Sequence, residues 1–421
     1  MVFRPAHAAL AACVLLVSAA TLAADESNLS LRDAIERART VRPELAAFAF
    51  ESRIQDAATR AAGLRPAPTV EIVVEDVLGS GTRSGFDTAQ TTLSLSQLFE
   101  LGGKRDGRLA VAQAQHARLR SDHAARQLDT VADIARSFVE CLAQQEREAA
   151  AEAALLLGRH VQKAVDERVR VAAAPPAEAA RAAVAAAEAE LSLEDARHVA
   201  ATLRFRVATA IGLDRPDFSR VAGDLLSQDP APDFEQLMAR LESAPDFLRF
   251  ANEERLRQAE LRLAQSQRRA DLRTTLGVRR YEQGDEIALV GGVSLPLFSP
   301  TRAQPGISTA EAGQSLVEHQ RRAALLKARA QLFAHYQEME HARHVVATLG
   351  TRILPELEGT LKQTEDAWRR GRYSLLEWSD LQRRLLEARA RRIDAAAEFQ
   401  LNRIEIERLT GESMVAAGES S

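Results

Sequence analysis

The chain has 421 residues, of which 46% are hydrophobic, 5% aromatic and 79 are alanine. A core of small side chains with few aromatic anchors points to long, closely packed helices, alanine being the best helix former, and a content of 27% charged residues excludes a polytopic helical membrane protein. The net charge of -4 gives no sign of a nucleic-acid partner, and the excess of 51 arginines over 4 lysines reads as base composition.

The N-terminus has the form of an export signal. Arg4 precedes an uncharged run over 8–24 with a small-residue exit, so a signal peptide is expected over 1–24. Leu10-Ala11-Ala12-Cys13 resembles a lipobox, with acylation of Cys13 as its consequence. The apolar run continues past Cys13 to Leu22 instead of turning polar, and plain cleavage is the expectation. Cleavage leaves Cys141 alone, without a disulfide partner in the chain. No later apolar run reaches the ~18 residues of a membrane-spanning helix.

The remainder is written twice. An offset of 202 pairs Pro43 with Pro245, Phe48 with Phe250, Glu51 with Glu253 and Arg53 with Arg255. The offset drifts to 200 at Ser94-Leu95 against Ser294-Leu295, and to 199 at Gly212 against Gly411. Two structural repeats are therefore expected, over 25–212 and 233–411, with a Pro/Asp-rich linker over 213–232 and a tail over 412–421.

Each half reads as helix, two strands, very long helix, turn, helix. Ser30 is a plausible N-cap for a helix running to Ala62, which Gly63, Pro66 and Pro68 stop. Strands are expected at about 69–78 and 88–98. A helix without proline follows from Lys104 to Arg170, its apolar positions stepping by three or four as in a coiled-coil seam. Pro175-Pro176 force a reversal before a helix over Ala177 to Ile211. In the second half the expected elements are a helix from Pro245 to Ala270, strands at about 272–281 and 286–297, a long helix from Gly306 to Arg370 kinked at Pro355, and a helix from Ser374 to Thr410. A helix of the first length reaches about 100 Å, wider than any compact domain. The simplest packing sets each long helix beside two shorter ones placed end to end.

The strands alternate one apolar face with one small polar face. Leu93 and Leu95 alternate with Thr92, Ser94 and Ser96, and Val70, Ile72 and Val74 form the apolar set of the first strand. This fits a transmembrane barrel strand and equally a half-buried soluble sheet. Four strands cannot close a barrel, and an open edge is not viable in lipid, so the membrane reading requires several copies of the chain.

Ser30-Leu31, Ala34, Ala38, Pro43 and Leu45, followed by Gln97-Leu98-Phe99-Glu100-Leu101-Gly102-Gly103-Lys104-Arg105, then Ser294-Leu295-Pro296-Leu297-Phe298 and Gly371-Arg372-Tyr373-Ser374-Leu375-Leu376-Glu377, resemble in order and spacing the TolC-like outer-membrane efflux family, nearest its CzcC-like metal-efflux branch. The resemblance implies a mainly α fold with a small β part: a homotrimer whose 12-stranded barrel in the outer membrane continues into a helical barrel across the periplasm. It implies outer-membrane lipid around the barrel, a periplasmic membrane-fusion adaptor and an inner-membrane RND-type pump as partners, and passive export of metal ions or small toxic compounds. A type I secretion duct or a soluble periplasmic coiled-coil scaffold are the alternatives. By resemblance the turns near Glu178 and at Gly371, Arg372, Ser374, Leu375, Glu377 and Asp380 face the periplasm, dock the adaptor and close the duct. The first turn departs from the pattern, with Ala173-Ala174-Pro175-Pro176 where a glycine and a hydroxyl residue are expected. Gly102, Gly103, Lys104 and Arg105 read as a tight turn into a helix, not a phosphate loop. His341 and His344 share a helix face, but two histidines lack the third ligand of a metal site. No catalytic constellation or cofactor motif stands out, and an enzyme is not expected.

Overall fold

The computed structural model describes residues 28–229 and 232–411. The expected signal peptide, Cys13, part of the linker and the tail over 412–421 lie outside the described residues.

The first half opens with β1 (Asn28–Ser30) and α1 (Leu31–Val41). Ser30 Oγ accepts the amide hydrogen of Asp33 at 3.1 Å, which caps the helix. The helix expected to run on to Ala62 instead breaks at Arg42, and α2 (Pro43–Ala62) starts afresh. Pro43 has no amide hydrogen and pushes the residue before it out of helical backbone; Arg42 is extended, at φ -68° and ψ 119°. The second half breaks in the same way between α5 (Phe234–Leu241), an element beyond those expected, and α6 (Pro245–Ser266). β1 also pairs in parallel with β4 (Arg220–Ala222), a patch too short to leave an alternation signal.

Four strands form one antiparallel sheet in the order β2 (Thr69–Glu75), β3 (Gln90–Phe99), β5 (Leu272–Tyr281), β6 (Glu286–Ser294). The central β3–β5 pairing joins the two halves, and among the described residues the outer edges of β2 and β6 are unpaired. β2 stops short of the expected end because Asp76 takes a left-handed backbone, φ 55°, with its carboxylate accepting from Arg83 and Gln90. β6 stops before Pro296, which cannot donate to a ladder.

α3 (Lys104–Arg170) is unbroken for 67 residues, about 100 Å. α2 lies against its beginning, where Gln55 Nε2 donates to Ala112 O at 3.0 Å. α4 (Pro176–Ile211) lies against its later part, where Gln144 Nε2 donates to Ala196 O at 3.0 Å. In the second half the long element is jointed: α7 (Ser299–Thr348), a π-helical turn over Leu349–Ile353, and α8 (Leu354–Arg369). It begins at Ser299, earlier than the expected Gly306, and accommodates Pro305 close to its start. The irregularity expected at Pro355 takes the form of the π turn just ahead of it. α9 (Leu375–Thr410) returns antiparallel.

The largest core lies midway along the rods, where Leu29, Ile35, Ile134, Phe138, Val207 and Val221 bring β1, α1, α3, α4 and β4 together. A second core packs Leu237, Phe247, Leu332, Met339, Phe399 and Ile406 of α5, α6, α7 and α9.

Candidate functional site

The sheet is turned inside out relative to a soluble one. Its registers align Ile72, Leu93, Val278 and Leu289 on one face, and Val73, Thr92, Arg279 and Ala288 on the other. The polar residues Thr92, Ser94 and Ser96 are 5%, 7% and 7% exposed, while Ile72 and Leu289 are 68% and 81% exposed. A half-buried soluble sheet would cover the leucines and wet the serines. Arg279 lies across the polar face, donating from Nε to Thr92 Oγ1 at 2.8 Å, from Nη1 to Gln90 Oε1 at 3.1 Å and from Nη2 to Glu75 Oε2 at 3.0 Å. One guanidinium thus ties three strands together, each bond strengthened by its charge.

At the far end of the rods the two helical turns meet. Trp368 and Trp378 pack at a ring-centroid distance of 4.7 Å, buried with Val161, Val165, Ala182 and Leu375. Arg168 of the first hairpin stacks over Trp368 at 4.8 Å. It donates to Trp368 O at 2.7 Å and to Ala173 O at 3.1 Å, so one side chain holds both turns. His160 and Glu365 make a second bridge at 3.1 Å. Sequence patterning missed Arg168 and the tryptophan pair; the usable signal is that the chain's two tryptophans lie ten residues apart around one turn.

Ser374 and Glu377 form a reciprocal capping box. Glu377 Oε2 accepts from Ser374 N at 2.8 Å, and Ser374 Oγ accepts from Glu377 N at 3.2 Å. The backbone and side-chain hydrogen bonds from Ser374 hold the Glu377 carboxyl below the usual range. Asp380 accepts from Arg383 at 2.5 Å and Arg384 at 2.8 Å, bonds that also lower its pKa. Glu178 sits in the first turn of α4, favourable for a carboxylate beside free helix amides. Leu375 is buried in the tryptophan cluster, Gly371 takes φ 73° at the turn, and Arg372 is exposed. Val171, Tyr373 and Leu376 stand exposed at the two tips.

At the sheet end, Gly102 and Gly103 both adopt the left-handed backbone, at φ 78° and 76°. A Cβ on Gly102 would lie 2.7 Å from Arg269 Cβ, so this turn needs glycine twice over. Lys104 is buried with Nζ 2.7 Å from Asp271 Oδ1. Arg105 donates to Gly63 O at 2.6 Å, and Arg108 is paired with Glu100. The turn is a hydrogen-bonded joint between sheet and helices. His341 and His344 are exposed, with His344 Nε2 3.5 Å from Thr348 Oγ1. Among the described residues no group of three or more His, Cys, Asp or Glu side chains could hold a metal ion. Cys141 is buried, which pushes its thiol up to about 11.

Residues 34–213 match the outer membrane efflux protein family. Over 385 residues the chain is 27% identical to the cobalt-zinc-cadmium resistance protein CzcC of Cupriavidus metallidurans, covering 91% of this chain and 90% of that protein. Its fold resembles the crystal structure of CusC at a TM-score of 0.76 and 14% identity, covering 91% and 92% of the two chains. A membrane protein from Pseudomonas aeruginosa is similar at a TM-score of 0.76 and 18% identity, with 97% of each chain covered.

Proposed function

From the match of residues 34–213 to the outer membrane efflux protein family and the 27% identity to CzcC along 91% of the chain, we propose that the chain is a member of that family and that three copies form the exit duct of a tripartite efflux system, passing divalent metal ions across the outer membrane. The observation that carries the reading is the inverted sheet. Its apolar rows are exposed and its opposite face carries hydroxyl and arginine side chains, the distribution that a wall between lipid and a water-filled lumen needs. Three sheets of four strands make twelve, and joining β2 of one copy to β6 of the next removes the open edges that lipid does not tolerate. The same exposures argue against a soluble periplasmic scaffold, which would present a wide apolar face to water.

The helices extend the duct toward the periplasm, and the paired tips form its inner end. There the exposed Val171, Tyr373 and Leu376 meet a periplasmic adaptor, which links the duct to an inner-membrane pump. The chain supplies shape and wall chemistry, not energy. Glu178, Glu377 and Asp380, repeated threefold, add acidic rings near the constriction. Metal ions are named as cargo because the relative similar along nearly the whole chain is named for resistance to cobalt, zinc and cadmium.

A strain lacking its own metal-efflux outer-membrane component tests this. With the cognate pump and adaptor supplied, the chain is expected to restore cobalt, zinc and cadmium tolerance and to fractionate with the outer membrane as a heat-modifiable trimer. Release of the protein by osmotic shock would refute the duct, and a membrane trimer that restores only drug tolerance would refute the cargo. Unchanged ion selectivity and resting closure in Glu377→Ala and Asp380→Ala would remove the acidic rings from the account.

A further inference from the structure

The joint between sheet and helices carries a charge opposite to that of the chain. Its four segments, 63–68, 100–108, 266–272 and 295–304, hold seven basic residues against three acidic ones, a net +4 where the whole chain is -4. Two of the basic residues are neutralised by ion pairs within the joint, Lys104 by Asp271 and Arg108 by Glu100. Arg65, Arg105, Arg268, Arg269 and Arg302 are exposed. Arg65, Arg268, Arg269 and Arg302 make no ion pair among the described residues, and the carboxylate nearest Arg105 is Asp106 at 4.0 Å.

Apolar side chains are interleaved with these arginines. Leu64, Leu101, Leu297 and Phe298 are exposed at the same level, and Arg302 lies one helical turn beyond Phe298, its amide bonded to Phe298 O at 3.1 Å. Phe99 continues the outward row of Leu93 and Leu95 down to this joint. A lumen wall would be polar throughout, whereas apolar groups beside guanidinium groups at the edge of an apolar band match the headgroup layer of a bilayer.

We propose that this arginine collar binds the phosphate groups of anionic phospholipids in the periplasmic leaflet, fixing the depth at which the duct sits; the proposal rests on the barrel reading above. Three copies bring fifteen exposed arginines around the base of one barrel. Guanidinium groups suit phosphate because they donate in pairs. The attraction is salt-dependent, since the collar lies at the water boundary.

The test reconstitutes the full-length trimer in nanodiscs of phosphatidylcholine alone or of equal parts phosphatidylcholine and phosphatidylglycerol. Lipids retained per trimer are counted by native mass spectrometry, and heat dissociation of the trimer is followed in parallel. The wild type is expected to retain phosphatidylglycerol selectively and to dissociate at a higher temperature with it. The triple variant R65Q/R269Q/R302Q is expected to behave as wild type in phosphatidylcholine and to lose the preference, by about fivefold for each arginine removed. The matching lysine variant is expected to keep most of it. A membrane trimer indifferent to phosphatidylglycerol, or a glutamine variant that keeps the preference, overturns the collar alone. A glutamine variant that alters ion selectivity while keeping its lipids places the arginines in the lumen and also overturns it. A wild-type chain recovered as a soluble monomer overturns the duct reading itself.

Discussion

After α3, Ala172 N donates to Val169 O at 3.0 Å and Ala173 N to Arg168 O at 2.8 Å; after α8, Gly371 N donates to Trp368 O at 2.9 Å and Arg372 N to Ala367 O at 2.9 Å. These are one helix-ending motif built twice, 199 residues apart. The residues differ at the two positions that matter most. Ala172 is left-handed at φ 57° where the second turn has Gly371, and Pro175 is the N-cap where the second turn has Ser374. The first turn therefore keeps its shape at the cost of a strained alanine, with a proline whose fixed backbone replaces a hydrogen-bonded cap. The rods behind them differ in the opposite sense, α3 unbroken and α7–α8 jointed by the π turn at Leu349–Ile353. A departure from a turn's sequence pattern does not by itself mean a departure in shape, because backbone geometry can be reached at a tolerable energy by a second set of residues.

The sharpest way to break this pairing of turns is to empty the core between them. Trp378→Ala removes a side chain with no exposed surface and is expected to cost about 3–5 kcal/mol, read as earlier thermal unfolding of the helical region. Arg168→Met keeps much of the apolar stem but removes the bonds to both turns. A loss of about 2 kcal/mol is expected, with a leak in single-channel recordings if the tips close the duct. A change at the left-handed position should act with opposite sign in the two turns: Ala172→Gly is expected to stabilise by about 1 kcal/mol and Gly371→Ala to destabilise by a similar amount, compared by denaturant midpoint. The smallest effect is with pH. Glu377 has its carboxyl lowered by Ser374, so its stabilising contribution is complete above the ordinary glutamate range and is lost as pH falls through the lowered value. Amide exchange on acidification should therefore rise first at the second turn of the wild type and not in Ser374→Pro, whose turn would resemble the first.

Much of the fold was legible because long elements leave strong periodic signals. α3 has the bounds that the absence of proline and the apolar spacing indicate, and β5 spans the residues of its alternating pattern. Local chemistry decided what the patterns missed: Pro43 splitting α1 from α2, Asp76 ending β2, and the π turn preceding Pro355. Side-chain partnerships were the least legible. Arg168 and Trp368 are 200 residues apart, and no periodicity within either hairpin reports that they touch. Glu377 and Asp380 stood out as acidic residues at a turn, but their cap and their arginine partners depend on side-chain geometry that spacing only suggests.

In the proposed duct the sheet turns its apolar row to lipid and its polar row to a lumen. Val293 and Ser294 are neighbours on β6, facing opposite sides and both exposed, and the buried Cys141 thiol, pushed up to about 11, gives little background at neutral pH. Val293→Cys and Ser294→Cys chains in outer-membrane vesicles are treated with a charged maleimide that does not cross lipid. Cys at 294 is expected to react and Cys at 293 to be protected; reaction at 293 with protection at 294 is the pattern of a soluble sheet and would contradict the duct.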